Sequence, residues 1–205
     1  MKLYGHPVST CTQKVLLTLA EKGHKADFEL VDLMKGAQKS PDYIANHPFG
    51  VVPYLEDDGY VIYESRAIIR YLDRKLSGTS LTPKDDKAYG RMERLISVEQ
   101  SYFTPGWGKI VFQIVFGKMQ GKEPDMAIVN QGKTEVAKAL DVVDKDLAGW
   151  QFMAGEEFSL ADVSWMPYVQ YLFKAGEGAL VTDRANVGAW WKRVSERPTW
   201  QKIAG

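Results

Sequence analysis

The sequence predicts a small α/β unit followed by an all-helical one. Three observations carry this. Strand-like and helix-like stretches alternate through about the first 75 residues. A polar stretch from Ser77 to Pro83, with Gly78 inside it, then breaks the pattern. Beyond it, apolar residues recur at helical spacing to the end of the chain.

Each element has a local reason. Lys2 to Tyr4 is a short strand candidate. Val15, Leu16, Leu19 and Ala20 fall on one face of a helix that Lys22-Gly23 ends, with a cation and a C-cap glycine. Phe28 to Val31 is apolar enough for a second strand. Ser40-Pro41-Asp42 begins a short helix, proline suiting a first turn. Tyr54 to Glu56, the turn Asp57-Asp58-Gly59, and Tyr60 to Tyr63 form a β-hairpin pattern. Glu64-Ser65 opens a helix with Ile68, Ile69 and Leu72 on one face. The order is β-α-β-α-β-β-α over residues 1–76, with 77–84 as linker. Residues 85–205 form the helical domain. There, Leu95, Val98 and Tyr102 share a stripe, as do Val136, Leu140, Val143 and Leu147. Ser159-Leu160-Ala161-Asp162 is a polar N-cap pattern. Trp190, Trp191, Val194, Pro198 and Trp200 predict a packed tail.

The chain has 205 residues, 45% of them hydrophobic, enough for a real core. Lys plus Arg number 26 and Asp plus Glu also 26, so no basic field for nucleic acid or anionic lipid is expected. One Cys excludes an internal disulfide and suits a reducing compartment. The first residues lack a signal-peptide core, and no apolar run approaches the roughly 20 residues that span a bilayer. A cytoplasmic protein is expected.

Several familiar patterns fail. Gly132-Lys133-Thr134 resembles the end of a phosphate loop, but Ala127 replaces its first glycine and no strand precedes it. His6, His24 and His47 have no metal-ligand spacing, so no metal is expected. Lys14 stands where a Cys-x-x-Cys pair would need its second thiol.

Three segments at element ends remain. Ser9-Thr10-Cys11-Thr12 starts the first helix, where free N–H groups and a partial positive charge favour an anion such as a thiolate; an ordinary N-cap is the other reading. Phe49-Gly50-Val51-Val52-Pro53 leads into a strand. A cis proline there would turn the Val52 backbone outward to pair with an extended peptide, and a simple turn is the alternative. Glu64-Ser65 begins another helix, as a carboxylate receptor beside an ammonium-binding acid, or as a capping pair. Together the three would suit a small peptide bearing a thiol.

These segments resemble the glutathione-binding domain of the glutathione transferases, closest to their phi class. The carriers are Gly5 to Thr12, Asn46 to Pro53, and Glu64 to Ile68. In the second half, Val98-Glu99 with Phe103 and Pro105 resembles the start of that class's helical domain, and Ser159 to Asp162 resembles the helix cap common across these enzymes. The resemblance implies a thioredoxin-like first domain, glutathione as co-substrate and no resident cofactor. It implies that Ser9 stabilises the glutathione thiolate and that Val52 pairs with the cysteinyl part ahead of cis Pro53. Glu64 and Ser65 then hold the γ-glutamyl end, and Lys39, with Gln38 beside it, lies near the glycine carboxylate. Two positions depart from the class. Gln38 replaces a frequent histidine and Val51 a usual glutamine. Each loses a polar contact worth about 0.5–1.5 kcal/mol, which implies weaker glutathione binding.

Phe112, Val115, Phe116 and Met119 form an apolar helical stripe, either plain core or a wall for an apolar electrophile. Tyr102 and Trp107 are further candidates for that wall. Cys11 lies about 200° round the helix from Ser9 and is expected to face elsewhere. Its alternative is a cysteine-type thiol transferase resembling dehydroascorbate reductases. Another is a non-catalytic ligand carrier on the same fold. Peroxide reduction by the same thiolate is a further expected activity. The resemblance also implies a homodimer, with Arg66 and Glu99 as pairing charges.

Overall fold

The computed structural model describes residues 1–204 and gathers them into two compact units. One contains Met1–Leu81 and the segment from Pro198 onward; the other is Thr82–Arg197.

The first unit is built on strands β1 (Lys2–Gly5), β2 (Asp27–Leu30), β3 (Tyr54–Asp57) and β4 (Tyr60–Tyr63). Their order in the sheet is β2-β1-β3-β4. β1 and β2 run parallel, and the other two pairs are antiparallel. Leu3 opposes both Phe28 and Leu55, so the sheet centre is aliphatic, and Leu3 and Leu55 are fully buried. β2 begins one residue earlier than the sequence suggests. It is an edge strand whose four residues are all exposed, so burial does not define its ends.

Helices α1 (Thr10–Glu21), α2 (Pro41–Asn46) and α3 (Ser65–Lys75) complete the order. α1 is buried on more than the one face its apolar residues mark: Thr12, Gln13, Lys14 and Thr18 are buried beside Val15, Leu17 and Leu19. The cause is double cover. α3 packs on α1, and so does the C-terminal helix Pro198–Ala204. Trp200 in that helix is fully buried, and the Thr199 hydroxyl donates to the Glu21 carboxylate. The reading that placed residues 85–205 in one helical domain therefore separates from the packing at Pro198. The far end of α1 is tied by an ion pair. The Lys22 ammonium lies 3.0 Å from Asp73 and donates to the Thr79 carbonyl at 3.1 Å, while Asp73 accepts from the Leu81 amide at 2.9 Å. The polar stretch after α3 is thus anchored at its end, where Leu81 is buried.

The second unit holds α4 (Asp86–Val98), α5 (Thr104–Val111), α6 (Met126–Asp146), α7 (Leu160–Lys174), α8 (Ala179–Thr182) and α9 (Ala185–Ser195). Two π-helical turns, Glu99–Phe103 and Phe112–Gly117, flank α5. The first has a reason in the sequence. Pro105 has no N–H to give to the preceding turn, so the ladder slips by one residue and the Thr104 amide reaches Glu99 instead. α5 and α6 then cross at Gly106 and Gly132. A Cβ on Gly132 would sit 2.6 Å from the Gly106 carbonyl oxygen, and one on Gly106 2.9 Å from that of Gly132. This close approach, not a phosphate, accounts for the glycine of Gly132-Lys133-Thr134.

Glu99 does not serve as an exposed pairing charge. It is fully buried, accepting from the Thr104 and Ser164 hydroxyls. A charge at a π-turn that faces inward needs such donors.

Candidate active site

The sheet topology brings three chain segments to one end of the sheet. Tyr4 opposes Tyr54, and Tyr54 opposes Tyr63. The end of β1, the start of β3 and the end of β4 therefore lie side by side. Ser9 follows the first, Pro53 precedes the second, and Glu64-Ser65 follows the third.

Ser9 is the N-cap of α1, with extended backbone, and its Oγ accepts from the Thr12 amide at 3.4 Å. The loop before it is fastened on both sides. The Ser9 amide donates to the His6 carbonyl at 2.9 Å, and the Gln13 side chain donates to the Pro7 carbonyl at 2.9 Å. A Cβ on Gly5 would meet Thr12 at 2.7 Å, so glycine is what lets strand and helix start approach. Ser9 remains half-exposed, with its long cap contact and the positive end of α1 beneath it. Cys11 is half-buried in the same first turn.

The Val52–Pro53 bond is cis. The loop that carries it is held from α2 and the turn before it. The Tyr43 hydroxyl donates to the Val51 carbonyl at 2.8 Å, and the Lys39 ammonium to the Phe49 carbonyl at 3.2 Å. Gly50 has φ +57°, and a Cβ there would stand 2.9 Å from the Gln38 carbonyl oxygen. Gln38 is half-buried, and its Oε1 is buried with no hydrogen-bond partner among the described residues. Gln38, Lys39 and the residue 49–53 loop are thus one assembly.

His47 joins that assembly to the end of β4. Its ring stacks on Tyr63 at 4.8 Å and meets Phe49 edge-on at 6.2 Å. It is almost wholly buried, with Nδ1 unpartnered among the described residues. Burial pushes its pKa down, the Glu64 carboxylate pulls it up, and the Lys39 ammonium adds to the lowering. Next to Tyr63, Glu64 is exposed at φ +72°, ψ +106°, a conformation a non-glycine residue rarely adopts. Ser65 behind it is buried and begins α3.

The apolar candidates of the second unit fall into two groups. Phe112 and Phe116 lie 5.4 Å apart and continue into Tyr171 and Trp107, whose ring meets Phe112 edge-on at 6.2 Å. Phe112 is 62% exposed, so this is an open aromatic wall and not closed core. Met119, just beyond, is also exposed. Tyr102 lies elsewhere, in a groove of about 630 Å³ between α5 and α6 with Val98, Pro105, Lys109 and Val142. Among the described residues no cluster of His, Cys, Asp or Glu could hold a metal ion, and no helix is long and apolar enough to cross a membrane.

Residues 1–74 match the family model for the glutathione S-transferase N-terminal domain, and residues 103–198 that for the C-terminal domain. The chain belongs to the glutathione S-transferase family. Among curated relatives, this transferase is 36% identical to Glutathione S-transferase F13 of Arabidopsis thaliana, covering 100% of this chain and 94% of that one. It is 40% identical to Glutathione S-transferase hmp2 of Hypomyces subiculosus, covering 98% and 96%. Among solved structures, glutathione transferase F7 from Populus trichocarpa superimposes with a TM-score of 0.94 at 36% identity, over 99% and 97% of the two chains. Glutathione S-transferase I from maize, in complex with an atrazine glutathione conjugate, gives 0.90 at 29% identity over 99% and 95%. These relatives place the transferase in the phi class.

Sequence reasoning missed Tyr43 and His47 in this transferase. Both look like ordinary core aromatics in Tyr43-Ile44-Ala45-Asn46-His47. Their use depends on a loop folding back over α2, which no periodicity announces. It also missed that Tyr171 extends the Phe112–Phe116 wall beside the expected Trp107, since Tyr171 comes from α7.

Proposed function

We propose that this transferase activates glutathione as a thiolate and delivers it to an apolar electrophile. The observation that carries the reading is the convergence at one end of the sheet of the α1 start, the Val52–Pro53 loop and the Glu64-Ser65 helix start. Ser9 is the catalytic residue and hydrogen-bonds the glutathione sulfur. Val52, ahead of Pro53, pairs with the cysteinyl backbone. Glu64 and Ser65 receive the γ-glutamyl ammonium and carboxylate. Lys39, beside Gln38, meets the glycine carboxylate, for which it leaves the Phe49 carbonyl. The strained backbone of Glu64 supports this assignment, because such conformations collect at functional sites.

The energetics suffice without a basic side chain. A free thiol has a pKa of about 8.5, and lowering it by two units takes about 2.7 kcal/mol. A hydroxyl donating to a charged sulfur supplies about 1.5–3 kcal/mol. The positive end of α1 adds up to about 1 kcal/mol. Within the helical unit, the exposed Phe112 and Met119, with Phe116, offer an apolar surface to an electrophile, and Tyr102 offers a separate apolar surface in its own groove between α5 and α6. Peroxide reduction is a second use of the same thiolate. The transferase works in the cytoplasm as a homodimer, with Arg66 as the remaining candidate for a pairing charge.

The test is conjugation of glutathione to a generic aryl halide by wild type, Ser9→Ala and Cys11→Ser. Ser9→Ala is expected to lose at least about tenfold in kcat/KM, the equivalent of about 1.4 kcal/mol, while Cys11→Ser stays near wild type. Loss with Cys11→Ser, together with disulfide-exchange activity in wild type, would replace this reading by a cysteine-type one. Inactivity of wild type toward a panel of electrophiles and peroxides would favour a ligand carrier.

A further inference from the structure

We propose that Tyr43 is a positioning residue for glutathione, holding the Val51 carbonyl so that the adjoining Val52 backbone faces the tripeptide. This rests on the glutathione reading above.

The Tyr43 hydroxyl donates to the Val51 carbonyl at 2.8 Å. Its direction is set from behind, because the ring is buried and meets Tyr54 edge-on at 5.0 Å. Tyr54 in turn stacks on Tyr4 at 4.3 Å. Tyr43 also packs with Val31 and Tyr54 in one core cluster, so the donor stands on the sheet and not on a mobile stem. Burial pushes its pKa up, which keeps the hydroxyl protonated and able to donate.

The loop needs such a donor. Val51 has an exposed apolar side chain that cannot tie itself to anything polar. The Phe49 carbonyl is held by Lys39, whose exposed ammonium the glycine carboxylate would draw off. The His47 carbonyl accepts from the Gly50 amide at 2.8 Å. Carbonyls 47, 49 and 51 are therefore all taken on the protein side. The Val51 carbonyl and the Val52 N–H belong to one planar trans peptide, in which they point in opposite directions. Tying the Val51 carbonyl inward therefore turns the Val52 N–H outward, where a peptide can pair with it. When Lys39 moves to the ligand, Tyr43 still holds.

Tyr43→Phe keeps the ring and removes only the donor. Tyr4→Phe is the control. It removes a hydroxyl from the same aromatic stack, one that donates to Glu56 at 3.3 Å and does not touch the loop. Three readouts apply: calorimetric titration with S-hexylglutathione, steady-state kinetics with glutathione varied, and amide exchange at Val52 in the free protein. For Tyr43→Phe the expected result is about a fivefold rise in Kd and in KM for glutathione, kcat within about twofold, and faster exchange at Val52. Tyr4→Phe should match wild type in all three. The proposal is overturned if Tyr43→Phe binds as tightly as wild type, or if Tyr4→Phe weakens binding as much. Failure of wild type itself to bind S-hexylglutathione marks instead the failure of the glutathione reading, and this inference falls with it.

Discussion

At the scale of the residue, His47 shows how position alters an ordinary side chain. Packed between Tyr63, Tyr43 and Phe49, it is held below its usual pKa chiefly by burial. The unfolded chain takes up its proton as the pH falls through the ordinary histidine value, while the folded chain does not until a lower pH. Folding stability therefore declines across that interval and is unaffected by His47 well above it. His47→Phe fills the same aromatic stack without a titrating group. Urea unfolding at a series of pH values should show a shallower loss for His47→Phe between about pH 6.5 and 5, and identical slopes would refute the assignment. Glu64 offers a second residue-scale test. Glycine tolerates φ +72° without strain, so Glu64→Gly should cost no stability and gain up to about 1 kcal/mol, while glutathione binding weakens. A drop in stability would mean that Glu64 makes contacts that outweigh its strain.

At the scale of the element, the start of α7 is tied by a fully buried carboxylate. The Asp162 carboxylate accepts from the Met153 amide at 2.9 Å, the Ser159 amide at 2.8 Å, the Ser159 hydroxyl at 2.9 Å and the Trp190 indole at 2.8 Å. Burial pushes its pKa up, and these four donors pull it back. The capping box visible in Ser159 to Asp162 accounts for two of the donors; the other two arrive from the preceding loop and from α9. Removing the acceptor strands all of them in a dry interior. Asp162→Ala should therefore cost about 3 kcal/mol or more, against about 1 kcal/mol for Ser159→Ala. Equal losses in urea unfolding would mean that the cap alone matters.

At the scale of the whole molecule, the chain's last helix returns to its first unit. Trp200 fills space beside α1, yet its indole nitrogen has no hydrogen-bond partner among the described residues. Trp200→Ala should then cost about 3–5 kcal/mol through the cavity it leaves. Trp200→Phe, which removes an unsatisfied donor along with some volume, should cost clearly less. If the two variants melt alike, the indole nitrogen has a role that packing does not explain. The proposed homodimer belongs to this scale too, and gel filtration showing only monomer would remove it.

Legible in the sequence were the order of elements in the first unit, a hairpin turn read as Asp57-Asp58-Gly59 that the structure narrows to Asp58-Gly59, the capping box at Ser159 and the three segments of the proposed glutathione site. Each of these is a local preference of backbone or cap, written within a few neighbouring residues. How those segments come together is written in the fold and not in any one of them. The fold set Ser9, Pro53 and Glu64 at one end of the sheet through the pairing of β1, β3 and β4. It turned Glu99 inward, separated Tyr102 from the Phe112–Phe116 wall, and gave the C-terminal helix to α1. It also placed Tyr43 and His47 against the residue 49–53 loop. These outcomes depend on contacts between residues far apart in the chain. Hydrophobic burial drives such contacts but does not label its partners, so a buried tyrosine reads the same in sequence whether its hydroxyl is idle or holds a binding loop.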